Sequence, residues 1–392
     1  MASSASPSAR RASSCVENEG RVPNVDLFAT AAPGTEGALR DELRELRFRG
    51  VKADRGGVHF HGTLSEAGRA CLESRIAIRI LVKLAEFDAP DEQTLYDGVH
   101  AVDWTPWISP KHTLAVSAVA RASKLFHTKY LAQKTKDAIV DQLRDKLGSR
   151  PNVDVEDADV RVFLHLVKDH ASIFLDAAGE SLHRRGWRYH IGEAPLKETM
   201  AAACLRLAEW DRVRPLLDPM CGAGTIAIEA EQWSRAIAPG LMRAKFGVER
   251  WASADAVLAA SMKDMRDRAK ARAMVNKATI IGADKDAKVL DFARKNAKAA
   301  HAHVRFEQRD LADVASLAPS GCMVLTNPPY DLRLEAGAEF YSSMARAFRA
   351  LRGCTVAIIA GNSDIERAMG RPRKWQSIAN GPIEVRLLIY DI

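Results

Sequence analysis

The chain has little of what secreted, membrane-spanning or zinc-binding proteins contain. Its six cysteines form no Cys-x-x-Cys pair and none stands beside a histidine, which argues against a zinc site and a disulfide framework. We therefore expect a cytoplasmic protein without a metal. No apolar run approaches the ~20 residues that a membrane-spanning helix needs. Lysine and arginine, 57 together, outnumber 50 acidic residues, and the net charge of +7 suits a polyanionic partner.

The length of 392 residues allows two or three domains, since domains commonly contain ~100–200 residues. Residues 1–24 are rich in serine, alanine and arginine without apolar periodicity, and we expect a disordered tail there. This composition superficially resembles a transit peptide, but Glu17 and Glu19 favour an untargeted extension. The signals that follow indicate a small α+β unit made of strand 25–30, helix 35–46, strand 57–61 and helix 65–71.

A glycine-rich turn follows a short apolar run in the second half of the chain. Residues 215–217 are predicted to form a buried strand, and a helix is predicted to begin near Thr225. Glycine lets the backbone approach a ligand closely, and a helix N-terminus offers unpaired N–H groups. The spacing is neither the dinucleotide pattern nor a triphosphate loop, which leaves a nucleoside cofactor with a carboxylate, such as S-adenosylmethionine. The candidate contacts are Asp218, Met220, Gly222, Gly224 and Thr225.

Strand and helix signals alternate after this turn, as a doubly wound sheet requires. Strand 279–284 ends in Asp284, which we expect to hold ribose hydroxyls, and strand 304–310 places Asp310 where an adenine amine could donate to it. About sixty residues separate the glycine turn from Asp284, against the usual ~20, so an insertion is expected. The remaining predicted elements are helix 287–300, strands 323–326 and 355–360, and a hairpin of 374–379 and 385–390 around Asn380-Gly381.

The tetrapeptide Asn327-Pro328-Pro329-Tyr330 follows predicted strand 323–326. Two prolines fix φ and remove two N–H donors, so the turn is stiff and its carbonyls face outward. An exocyclic base amine is a poor nucleophile, because its lone pair is delocalised into the ring. The Asn327 amide oxygen and a proline carbonyl could accept the two amine hydrogens, while the base stacks on Tyr330. A plain Pro-Pro turn is the alternative, but together with the glycine turn the tetrapeptide predicts amino methyl transfer.

The two turns resemble the amino-methyltransferase branch of class I S-adenosylmethionine enzymes. More narrowly, Gly-Glu-Ser-Leu-His-Arg-Arg-Gly-Trp-Arg (179–188) and Glu-Ala-Pro-Leu-Lys-Glu-Thr (193–199) are similar to bacterial 23S rRNA guanine-N2 methyltransferases with a THUMP domain. Transfer RNA guanine-N2 methyltransferases share this layout. The resemblance covers the chain from about residue 25 to its end.

The resemblance implies an α/β fold in which an α+β module with a THUMP domain precedes a Rossmann-like methyltransferase domain. That domain would have a seven-stranded sheet with a C-terminal hairpin. It also implies that Pro195, Leu196 and Thr199 lie near the methionine end of the cofactor. The implied divisions are a tail (1–24), the N-terminal module (25–178), a connecting segment (179–198) and the methyltransferase domain (199–392).

The resemblance places the THUMP domain between Trp104 and about residue 177. Aromatic residues interleave with bases there, and such a surface can stack on unpaired nucleotides while lysines contact phosphates. Helix 128–147 could equally present an ordinary solvated basic face, and the charged run 263–272 in the insertion is also interpreted as a solvated face. The RNA-binding candidates are Lys111, Arg121, Lys124, Lys129, Tyr130 and Lys134.

These patterns predict an RNA methyltransferase that modifies an exocyclic base amine. The resemblance favours guanine N2 in 23S rRNA, with transfer RNA as the second candidate. A DNA adenine or protein glutamine methyltransferase, and an RNA-binding assembly factor with a vestigial enzyme domain, are the alternatives. The hypothesis involves neither a metal nor a membrane, and the oligomeric state is not determined by the sequence.

Overall fold

The computed structural model describes residues 24–189, 196–275, 278–329, 334–381 and 383–392. The predicted tail therefore lies outside the described residues except for its last residue. Two sheets organise the described chain, one of eight strands and one of seven. Within these ranges, no helix has the length and apolar character needed to cross a bilayer.

The first sheet contains eight strands, all from residues 25–176. Their order in the sheet is β2-β3-β1-β4-β8-β7-β5-β6. Its central strand β4 pairs antiparallel with β1 on one side and with β8 on the other. The strands are β1 (Val25–Thr30), β2 (Arg49–Asp54), β3 (Gly57–Gly62), β4 (Arg79–Asp88), β5 (Thr113–Arg121), β6 (Asn152–Val153), β7 (Val160–Val167) and β8 (His170–Asp176). The helices are α1 (Glu36–Glu45), α2 (Leu64–Glu73), α3 (Glu92–His100) and α4 (Thr128–Leu147).

The second sheet has the order β11-β10-β9-β12-β13-β15-β14 and confirms the predicted seven strands with a C-terminal hairpin. Strands β9 to β13 are parallel, and β15 is antiparallel to both of its neighbours. The strands are β9 (Leu216–Asp218), β10 (Ile280–Asp284), β11 (Arg305–Gln308), β12 (Met323–Thr326), β13 (Thr355–Ala360), β14 (Lys374–Asn380) and β15 (Ile383–Asp391). The helices are α5 (Glu198–Leu207), α6 (Thr225–Ser234), α7 (Ala256–Ala271), α8 (Ala287–Ala299), α9 (Leu334–Arg349) and α10 (Asp364–Met369).

Strands β9 and β12 lie side by side at the centre of this sheet. All four residues of β12 are buried, as expected for a parallel strand covered by helices on both faces. Because parallel strands share a direction, the turns after β9 and β12 emerge at the same edge of the sheet. The fold therefore brings together the two motifs that the sequence separates by about a hundred residues.

The predicted third strand was too long at its C-terminal end. Strand β11 covers only Arg305–Gln308, and Asp310 lies beyond it as the N-cap of a 3-10 helix, Leu311–Ser316. Its Oδ1 accepts a hydrogen bond from the Ala312 N–H at 2.9 Å. The carboxylate therefore terminates the strand, because a short acidic side chain satisfies the first free N–H groups of the following helix.

The predicted insertion between the glycine turn and β10 packs the second sheet against the first module. Trp251 is buried and meets Trp107 edge to face, with the ring centroids 5.7 Å apart. Arg250 pairs with Asp159 at 2.8 Å, and a Cβ at Gly68 would lie 2.4 Å from the Met262 sulfur. Most of α7's charges pair locally, in agreement with the predicted solvated face, while the insertion's buried residues hold the two sheets together.

A buried charge network joins the two modules more deeply. Glu229 on α6 is fully buried and accepts from Arg75 of the first module at 3.2 Å and from Arg185 of the connecting segment at 3.1 Å. Arg185 also donates to the Arg75 carbonyl at 2.6 Å. Burial lowers the pKa of Arg75, against the opposing effect of Glu229. One carboxylate thus compensates two guanidinium groups that have lost their water.

Candidate cofactor and acceptor site

The glycine turn between β9 and α6 requires backbone conformations that favour glycine. Gly222 has φ +53 and Gly224, the N-cap of α6, has φ +84. A Cβ at Gly224 would lie 3.1 Å from the Phe306 ring, whereas one at Gly222 would meet no heavy atom of the described residues within 4 Å. The turn is therefore packed from behind at Gly224 and open at Gly222, which is the side where a ligand can approach the backbone.

Asp284 supports this turn directly. Its Oδ2 accepts from the Gly222 N–H at 3.1 Å, and its Oδ1 accepts from the Asp286 N–H at 3.1 Å. Asp284 is half-buried at the end of β10. The carboxylate predicted to hold a ribose is thus at the expected strand end, and one of its oxygens also fixes the turn.

Asp218 ends strand β9 and is almost fully buried. Burial raises the pKa of Asp218 to about 7, and the neighbouring Asp284 carboxylate acts in the same direction. The Met220 N–H donates to Asp218 at 3.3 Å. A cation placed beside a buried carboxyl stabilises its ionised form and lowers its pKa. Asp218 would therefore lose its proton when a cation binds next to it.

Arg188, to which no sequence motif assigns a role, connects the segment before α5 to the glycine turn. Its guanidinium donates to the Thr225 hydroxyl at 2.6 Å and to the Leu196 carbonyl at 2.7 Å, and it pairs with the buried Glu198 at 2.9 Å. An arginine fork can make these contacts at once because its donors are fixed in one plane. Arg188 is the last residue of the segment 179–188, on which the family resemblance rests, but no spacing rule indicates its partners.

Two of the three candidates near the start of α5 lie among the described residues. Leu196 and Thr199 are both buried, and Arg188 brings Leu196 to the first turn of α6. Pro195 lies outside the described residues. Leu196 and Thr225 thus share Arg188 as a donor, and the contact of either residue with a cofactor stays a prediction.

The Asn327-Pro328-Pro329 turn, called the acceptor turn after its predicted role, leaves β12 at the same edge of the sheet. Asn327 is half-buried, Pro328 is buried and Pro329 is exposed, while Tyr330 lies outside the described residues. The Pro329 carbonyl accepts a hydrogen bond from the Tyr341 hydroxyl of α9 at 3.0 Å. Asp310, by contrast, is exposed at the end of β11, two strands away from β9 in the sheet.

The structure gathers most, but not all, of the predicted RNA-binding residues. Arg121, Lys124 and Lys129 are exposed around the connection from β5 to α4. Tyr130 is 38% exposed, and the half-buried Lys134 lies with its ammonium 5.0 Å from the centre of the Tyr96 ring. Lys111 precedes β5 and so lies at the opposite end of that strand from Arg121, about 30 Å away at the rise of an extended strand.

Metal-binding groups and reactive thiols are scarce in the part of the chain that the structure describes. Those residues contain no cluster of three histidine, cysteine, aspartate or glutamate side chains able to hold a metal. The five cysteines among them are buried free thiols, and burial raises the pKa of Cys221 in the glycine turn. Cys221 is therefore a packed side chain rather than a nucleophile.

A seven-stranded sheet of this order, with a glycine turn after its first strand and Asn-Pro-Pro after its fourth, defines an S-adenosylmethionine-dependent methyltransferase of the class I, Rossmann-like type. Residues 185–387, just over half of the chain, match the family described as "RMKL-like, methyltransferase domain". The chain belongs to this family. Residues 26–81 match the RlmL ferredoxin-like domain and residues 89–176 match the THUMP domain. The THUMP match begins before the predicted Trp104 and includes α3, which packs against α4.

Relatives agree with this assignment over most of the chain. A protein named ribosomal RNA large subunit methyltransferase K/L from Syntrophotalea carbinolica is 40% identical, covering 94% of this chain and 54% of that protein. One with the same name from Methylococcus capsulatus is 40% identical, covering 94% and 51%. The chain thus spans about half the length of these curated relatives. The solved structure of SMU.472, a methyltransferase complexed with SAH, is 30% identical with a TM-score of 0.83, covering 94% of this chain and 98% of that one.

Proposed function

We propose that this chain transfers a methyl group from S-adenosylmethionine to the exocyclic amine of an RNA base, guanine N2 of 23S rRNA, in the cytoplasm. The observation that carries the proposal is the adjacency of β9 and β12. It puts the open glycine turn and the Asn-Pro-Pro turn at one edge of the sheet, so that a cofactor and an acceptor base can meet. The basic THUMP-containing module supports RNA as the polymer that supplies the base.

The turn residues fit a nucleoside cofactor with a cationic end. Gly222 leaves room at the backbone, Asp284 lies where ribose hydroxyls can reach it, and Asp218 offers a carboxyl to positive charge. When bound, S-adenosylmethionine supplies a methyl group made electrophilic by its sulfonium. Arg188 holds Thr225 and Leu196 in place on the side of the site where the methionine end of the cofactor would lie.

On the acceptor side, the Asn327 amide oxygen and the Pro328 carbonyl accept the two hydrogens of the base amine. This holds the lone pair out of the ring plane and towards the methyl group, and the base stacks on Tyr330. The new carbon–nitrogen bond forms as the carbon–sulfur bond breaks, and the surplus amine proton leaves to water. Positioning of two bound reactants supplies most of the acceleration.

Guanine N2 and 23S rRNA follow from the family resemblance and from the name that the relatives carry. Transfer RNA guanine is the second candidate, and an Asn-Pro-Pro-Tyr turn also suits DNA adenine or a protein glutamine. The test is methyl transfer from labelled S-adenosylmethionine to total RNA of a strain lacking the gene, followed by size separation and nucleoside analysis. Label as N2-methylguanosine in 23S rRNA is expected. Label in transfer RNA would change the substrate, and the absence of label from RNA, with cofactor bound, would overturn the proposal.

Cofactor affinity should depend on pH through Asp218. The carboxyl, with a pKa of about 7 in the folded protein, is largely protonated at pH 6 and largely ionised at pH 8. A cation placed beside it favours the ionised form, so binding releases a proton below pH 7 and strengthens as the pH rises. We expect calorimetry to give a dissociation constant about tenfold lower at pH 8 than at pH 6.

Asp218→Asn provides the reference, because an asparagine side chain does not titrate but has nearly the same shape as aspartate. Its pH dependence, which includes any titration of the cofactor itself, is subtracted from that of the native protein. An identical pH dependence in both proteins would rule out the role of Asp218 in binding the cation.

A further inference from the structure

A chain of three hydrogen bonds ends on the backbone of the acceptor turn. The Asp364 N–H donates to the Asn362 side-chain oxygen at 3.1 Å, which orients the amide so that its NH2 group faces α9. That NH2 group donates to the Tyr341 hydroxyl at 2.8 Å. The Tyr341 hydroxyl in turn donates to the Pro329 carbonyl at 3.0 Å. The two middle groups, the Asn362 amide and the Tyr341 hydroxyl, therefore each accept one hydrogen bond and donate one.

The chain links three parts of the sheet edge that are distant in sequence. Tyr341 is 2% exposed in α9, Asn362 lies in the loop after β13, and Pro329 follows β12. Tyr341 is anchored in the hydrophobic core beneath the sheet edge, whereas Pro329 is exposed. A rigid core residue thus holds the solvent-facing turn.

The acceptor turn needs such a support because two of its three residues are prolines, which have no backbone N–H group to donate. Pro328 and Pro329 have no N–H groups, so neither can donate a hydrogen bond to the surrounding protein. Their rings fix φ, and the remaining backbone freedom lies in ψ. A hydrogen bond to the Pro329 carbonyl fixes ψ of that residue and turns this carbonyl towards α9, which sets the geometry of the turn around Asn327 and Pro328.

We propose that Tyr341 and Asn362 are positioning residues for methyl transfer. They hold the Asn327-Pro328-Pro329 turn so that the Asn327 amide and the Pro328 carbonyl face the acceptor amine, without themselves contacting it. The inference rests on the proposed function, since it assigns the turn to the acceptor. It predicts that loss of the Tyr341 hydroxyl slows methyl transfer but leaves cofactor binding unchanged, because the glycine turn belongs to other strands.

The test compares Tyr341→Phe with Tyr390→Phe. Tyr390 is 5% exposed in the same hydrophobic cluster, and its hydroxyl has no hydrogen-bond partner among the described residues. Both variants remove one buried hydroxyl, but only Tyr341→Phe removes a member of the hydrogen-bond chain that ends at Pro329. We expect kcat to fall about 10- to 100-fold in Tyr341→Phe, the scale of a small misplacement of reacting groups, and to stay native in Tyr390→Phe. The dissociation constant for S-adenosylmethionine should stay native in both.

A double variant separates positioning from general loss of structure. If Tyr341 acts through the Asn327 amide and the Pro328 carbonyl, then adding Tyr341→Phe to Asn327→Ala should lower kcat by less than Tyr341→Phe lowers it in the native protein. Asn362→Ala should lower kcat in the same direction as Tyr341→Phe. Equal losses in Tyr341→Phe and Tyr390→Phe, or fully additive losses in the double variant, would overturn the inference.

A readout that needs no substrate keeps the inference separate from the proposed function. Hydrogen exchange of the amides that flank the two prolines should quicken about tenfold or more in Tyr341→Phe, because the turn opens more often, and should stay native in Tyr390→Phe. Failure of the native protein to methylate RNA would overturn the proposed substrate alone. Unchanged exchange in Tyr341→Phe would overturn the positioning role whatever the substrate is.

Discussion

Replacing Asn327 by alanine should lower kcat for methyl transfer by about 10²–10³-fold, the range typical of losing one preorganised hydrogen-bonding group at a reacting centre. The amide oxygen would no longer accept an amine hydrogen, so the lone pair would return to the ring plane. Asn327 follows β12, whereas the glycine turn follows β9. The dissociation constant for S-adenosylmethionine should therefore stay near the native value, as measured by calorimetry beside a single-turnover transfer assay.

Asn327→Asp is the matched control. It keeps an acceptor oxygen in nearly the same place, so it should retain more activity than Asn327→Ala. Native turnover in the alanine variant would remove Asn327 from the mechanism. A parallel loss of cofactor binding would instead indicate that the substitution disturbs the sheet edge as a whole.

The second large effect is on stability. Glu229→Gln keeps the shape of the side chain but removes the negative charge that pairs with both Arg75 and Arg185 in the buried network described above. Breaking a buried ion pair in this way costs about 3–5 kcal/mol, because the remaining charges are desolvated and uncompensated. We expect the free energy of unfolding from urea titration to fall by that amount.

Asp267→Asn serves as the comparison, since it also neutralises one member of an ion pair. Asp267 pairs with Lys263 on α7, where both side chains are more than half exposed, and such pairs contribute about 0.3–0.5 kcal/mol. If the two substitutions had equal effects, Glu229 would not be holding the modules together. Limited proteolysis of Glu229→Gln should also cut between the modules sooner than in the native protein.

The buried network and the insertion have a consequence for RNA recognition. Glu229 lies on α6, the helix that begins at the glycine turn, and its partner Arg75 belongs to the first module. Trp251 and Trp107 make a second contact between the same two parts. The distance from the THUMP-containing module to the acceptor turn is therefore set by buried contacts rather than by a linker. Under the proposed function, we therefore expect a base to be methylated only if it lies at that distance from the RNA structure that the module binds.

Local chemistry made several elements predictable from sequence. The hairpin between β14 and β15 was found because its Asn380-Gly381 turn places Gly381 at φ +65. The turn between β7 and β8 has the same kind of backbone, but Lys168 and Asp169 occupy it at φ +53 and +61. No glycine marks that hairpin, and neither β7 nor β8 was predicted. Strands β2, β4, β5 and β6 were missed as well, although Gly56 at φ +78 marks the turn between β2 and β3. Residue type reveals a turn only where the backbone conformation selects glycine or asparagine.

The sequence by itself determined the two turns and the reaction they suit, because glycine and proline restrict the backbone wherever they stand. Its alternating strands and helices also predicted a doubly wound sheet, but not the order of the strands in it. The tertiary structure alone decided that Asp284 braces Gly222 and that Arg188, Glu229 and Tyr341 join the elements around the two turns. These contacts join residues as much as 154 positions apart. Their formation depends on which distant surfaces pack together, and no local preference encodes that.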